Sequence, residues 1–158
     1  MATLSVNDIV YSIREHLRTD PDVGTATVLS FYSGINRAEF DRPFIVVRSL
    51  SDLVDFISAG RHTYYYKALI QIEIFTNDEY YLQELTSHVR DSLLHNAIPL
   101  YKVSVDTGNP VGFFYVDDGM SSERMPSDDP SEESADHRNY LTCETEIVID
   151  NQNGTRVP

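Results

Sequence analysis

Val6, Ile9, Val10, Ile13 and Leu17 recur at helical spacing, so residues 5–18 are predicted to form an amphipathic helix. Ser5 followed by Asp8 matches a capping box with Asp in the acceptor's place, and Pro21 lies just past the expected stop. Residues 25–31, rich in Thr, Val and aromatics, read as a strand that ends at the Ser33-Gly34 turn. Pro43 opens a second strand, Phe44-Ile45-Val46-Val47-Arg48, and residues 51–57 read as a short helix or a loop. From His62 to Thr76 the pattern switches to period two: Ala68, Ile70, Ile72 and Ile74 alternate with Leu69, Gln71, Glu73 and Phe75. That predicts a strand with one oily face and one mixed face. Asn77 is placed as the cap of a second helix whose apolar stripe is Tyr81, Leu82, Leu85, Val89 and Leu93, with Asp78 and Glu79 in the first turn, where the helix dipole favours them. Residues 111–116 and 140–150 complete the strands, the last with Leu141, Cys143, Thr145, Ile147 and Ile149 on one face.

Between the last two strands, residues 118–137 carry Asp128, Asp129, Glu132, Glu133 and Asp136 and no apolar set, so they are expected to form a flexible acidic loop. The tail, 151–158, is polar and expected to be loose. The fold class that follows is α+β: a mainly antiparallel sheet with two amphipathic helices packed on it, in the order α-β-β-β-α-β-β. Residues 1–150 make a single domain of ordinary size.

The chain has 158 residues with 25 acidic and 12 basic side chains, a net charge of −13. Such a surface repels phosphate backbones and argues against sequence-independent DNA binding. Only Lys67 and Lys102 are lysines; the other ten bases are arginines. An acid-rich, lysine-poor surface suits concentrated salt, where the Debye length falls to about 3 Å and self-repulsion is screened. A bias toward arginine codons is the alternative. The N-terminus has no basic region or apolar run of a secretory signal, and no apolar stretch approaches the ~20 residues that span a bilayer; a soluble protein with no membrane partner is expected.

Chemistry-bearing motifs are scarce in the chain. The phosphate-cradling glycine motifs, the G-x-S-x-G elbow and the H-E-x-x-H zinc motif are absent. His88 and His95 share a side of the second helix but stand about 10 Å apart along its axis, too far for one metal. The acidic residues 128–136 lack the alternation and central glycine of an EF-hand loop. Glu144 and Glu146 share a strand face as a glycosidase pair would, but period-two alternation produces such pairs by default. Cys143, the one cysteine, sits mid-strand on the apolar face and reads as a buried inert thiol. No enzyme, cofactor or metal site is expected.

The aromatics point elsewhere. Tyr64, Tyr65 and Tyr66 are consecutive, so they cannot all face one core, and Phe113, Phe114 and Tyr115 repeat the theme. Strands that are aromatic on both faces are covered on both faces, either by the chain's own helices or by a neighbouring subunit. Tyr64, Tyr65, Tyr66, Phe113 and Tyr115 are therefore candidate subunit-interface residues.

The layout resembles the tail terminator, or tail completion, proteins of long-tailed viruses. It consists of the N-terminal helix, the strand opened by Pro43, the long strand 65–75 running straight into the helix that starts near Asp78, and the closing strand 140–147. The acidic stretch 118–137 is longer than a compact member needs. The resemblance implies a homohexameric ring at the tail–head junction of the virion. The ring would cap the tail tube, end its polymerisation and bind the head connector or stopper, with DNA passing through the bore without specific binding. Six copies would carry about −78 charges, six times −13, and a bore of that sign would not retain DNA. Other head–tail connector components, an adaptor or a stopper, are the alternative, and a small ligand-binding or enzymatic domain is the third reading.

Overall fold

The computed structural model of the chain describes residues 4–24, 26–29, 43–56, 63–104, 107–116, 120–125, 137–150 and 155–157. Its elements run α1 (Val6–Thr19), β1 (Thr27–Leu29), β2 (Phe44–Phe56), β3 (Thr63–Thr76), α2 (Glu79–His95), β4 (Ile98–Leu100), β5 (Gly112–Phe114), β6 (Ser121–Met125), β7 (His137–Asp150) and β8 (Thr155–Val157). The expected α+β class and element order are present, with three short strands added.

The main sheet has the order β1-β2-β3-β7-β6, with β8 also on β7. The long strands β2, β3 and β7 pair antiparallel, and β1 joins β2 in parallel. The free side of β7 is occupied by the chain itself: β6 at one end, Val116 opposite Thr145 in the middle, and β8 at the other end. Closing an edge in this way removes a site for unwanted strand addition. No helix among the described residues is long and apolar enough to cross a membrane.

One face of the sheet is covered by α1, which lies over β1 and β2, and by α2, which lies over β3 and β7. The predicted stripes make this core. Ile9, Val10, Ile13 and Leu17 of α1 and Leu82, Leu85, Val89 and Leu93 of α2 are buried against Ala68, Ile70, Ile72, Ile74, Leu141 and Cys143. Ile98, Leu100 and Phe114 of the separate β4–β5 hairpin join the same core, placing that hairpin in the helix layer. The opposite face has a core at one end only. Phe44, Val46 and Phe75 are buried there, and the rings of Phe44 and Phe75 stack at 4.4 Å between centroids.

Four expectations are corrected. Residues 51–56 continue β2 rather than forming a helix or loop. A bulge between Ser49 and Ser51 inserts Leu50 and reverses the alternation, which hides the strand from a period-two reading. The N-cap of α2 is Asp78, whose carboxylate accepts the Tyr81 N–H at 2.7 Å; Asn77 lies one residue outside. The stretch 118–137 is not loop throughout, because Ser121–Met125 pairs with β7 and Met120 packs on the core. Polar strand residues are held there by backbone pairing at an edge, which composition does not reveal. Asp128, Asp129, Glu132, Glu133 and Asp136 lie outside the described residues. The tail expected to be loose contributes Thr155–Val157 to the sheet.

Cys143 is fully buried in the core, and burial pushes its thiol up from 9.0 to about 12. Below pH 9 both folded and unfolded chains hold the proton. Between 9 and about 12 the unfolded chain loses it first, so this group's stabilising contribution fades as pH rises through that window. A thiol reagent at mildly alkaline pH is expected to leave the folded protein unmodified and to react in full after guanidinium unfolding. Rapid labelling of the native chain, read by mass, would show that the β7 face opens.

Candidate assembly surface

The first turn of α1 forms a polar hub. Asp8 is 2% exposed. One of its carboxylate oxygens accepts the Ser5 N–H at 2.8 Å, the Ser5 hydroxyl at 3.2 Å and the Lys102 ammonium at 3.0 Å; the other accepts the Val103 N–H at 3.0 Å. One turn on, the buried Ser12 hydroxyl donates to the Asp8 carbonyl at 2.6 Å and accepts the Tyr101 N–H at 2.9 Å. The capping residue that the sequence pattern picks out is thus also the anchor for the segment leaving β4. Nothing in the local pattern marks a contact that spans 94 positions.

A second cluster joins the C-terminal ends of the helices. Ser92 is buried; its hydroxyl donates to Asp20 and lies 3.1 Å from His16 Nε2, which also faces the Ser92 carbonyl at 3.1 Å. Serine, histidine and acid meet here, but not as a nucleophilic triad. In a triad the serine donates to histidine and the acid holds the other ring nitrogen. Here the serine proton goes to the acid and the same imidazole nitrogen faces the serine. The cluster is a clamp between α1 and α2. Among the described residues, no group of three or more His, Cys, Asp or Glu side chains converges as a metal would require.

The candidate interface residues fall into distinct environments. Tyr66 belongs to the chain's own core at 4% exposure, and its hydroxyl donates to Asp52 at 2.9 Å. Tyr65, one position earlier, is half-buried, and alternation turns it to the opposite face of the sheet. Tyr64 stands opposite Phe56 and Ile149 in the ladder. Phe113 and Tyr115 are 51% and 60% exposed, whereas Phe114 between them is fully buried. Val111, two residues before Phe113, is also exposed, so Val111, Phe113 and Tyr115 make an apolar stripe on the outside of the helix layer. The sequence carried the signal for Val111 in its i, i+2, i+4 spacing with the two aromatics.

The other face of the sheet changes character along its length. Beyond the Phe44–Phe75 core, Arg48 donates to Gln71 through Nε at 2.7 Å and pairs with the buried Glu73 at 3.4 Å. Past the bulge, Ser51, Asp52, Leu53, Lys67 and Leu69 line a shallow cavity of about 220 Å³. Leu50 and Leu53 are exposed there. Only the bulge brings Ser51 and Leu53 to the same face as Lys67 and Leu69, so the groove was not legible in the spacing.

No family model matches the chain, and no curated protein matches it either. A chain in the virion of a native gene transfer agent particle is similar in structure, with a TM-score of 0.52 and 14% sequence identity over 87% of this chain and 92% of that one. The two chains share a fold.

Proposed function

We propose that this protein is a non-enzymatic virion structural protein of the tail terminator type. In this reading six copies form a ring on the end of the tail tube, stop its growth and join it to the head connector. The observation that carries the reading is exposed apolar surface among the described residues of a strongly acidic chain, above all Val111, Phe113 and Tyr115 and, on β2, Leu50 and Leu53. Exposed apolar area of that kind marks an association surface. The fold shared with a virion chain and the tail-terminator layout of the sequence both favour a particle component. The net charge of −13 per copy suits a bore through which DNA slides without being retained. The lysine-poor, acid-rich composition also suits a virus assembled in concentrated salt. The interface residues assigned under this reading are Tyr64, Tyr65, Phe113 and Tyr115, while Tyr66 serves the core.

Negative-stain class averages of the chain mixed with polymerising tail tube protein test the assignment. Six-fold rings seated on tube ends, with tubes of arrested length, are the expected result. A twelve-fold ring that ignores the tube would favour an adaptor, and a monomer that leaves tube growth unchanged would reject the proposal.

A further inference from the structure

We draw no further inference here: the strongest candidate, the exposed stripe of Val111, Phe113 and Tyr115 along β5 with the shallow groove of Ser51, Leu53, Lys67 and Leu69 on the far face of the main sheet, carries nothing, because nothing in the structure shows what covers either patch.

Discussion

Replacing Asp8 by alanine is expected to destabilise the fold by about 3–5 kcal/mol, because it removes one member of a buried ion pair. For a chain of this length that corresponds to a melting temperature lower by roughly 10 °C. The substitution takes away the carboxylate that faces Lys102 and strips the Ser5 and Val103 N–H groups of their acceptor. Lys102→Met should cost less, since Asp8 then keeps the Ser5 N–H, the Ser5 hydroxyl and the Val103 N–H. The double variant Asp8→Leu with Lys102→Met should recover part of the loss, because a buried pair contributes little beyond an apolar replacement of similar size. Ser5→Ala removes only a capping hydroxyl, and about 1 kcal/mol is expected. Thermal melts of the four variants check the order. Equal costs for Asp8→Ala and Ser5→Ala would show that Asp8 acts only as a cap.

The outer face of the sheet should respond very differently at its two ends. Phe75→Ala is expected to cost about 3–5 kcal/mol, the usual loss for an aromatic in a packed core. Phe75 is fully buried and stacked on Phe44 although it lies on the mixed face of β3. Leu53→Ala, on the same face beyond the bulge and 59% exposed, is expected to change stability by less than about 0.5 kcal/mol. Its effect should appear instead in assembly. Urea unfolding of both variants, set beside sedimentation, separates the two roles. A large stability loss for Leu53→Ala would mean that the chain covers this end of the sheet by itself, which would remove the groove from the assembly surface.

How much of this was legible in the sequence depends on the distance over which each feature is written. The two helices and the core face of β3 are local repeats, and the residues of those stripes are found buried except Val6 and Tyr81, which are partly buried at the core's margin. Tyr65 and Tyr66 were bound to diverge because alternation is local too. The continuation of β2 was hidden by a single inserted residue, Leu50, which shifts every later side chain to the other face. β6 was hidden because Ser121, Ser122 and Glu123 are polar and owe their strand conformation to pairing with β7. The Asp8–Lys102 pair and the Ser92–His16–Asp20 clamp join residues more than seventy positions apart, and no spacing rule reaches that far. The apolar stripe stood in the sequence as Val111, Phe113 and Tyr115, but its exposure required the structure, since Phe114 in the same run is core.

The central claim is that this chain works by associating with itself. Native mass spectrometry of the purified full-length protein tests it most directly, across a concentration series and with tail tube protein added. The account predicts a species six times the 18.0 kDa chain, with no stable even-numbered ladder that would indicate two-fold pairing. A single 18.0 kDa species under every condition, with and without the tube protein, would contradict it.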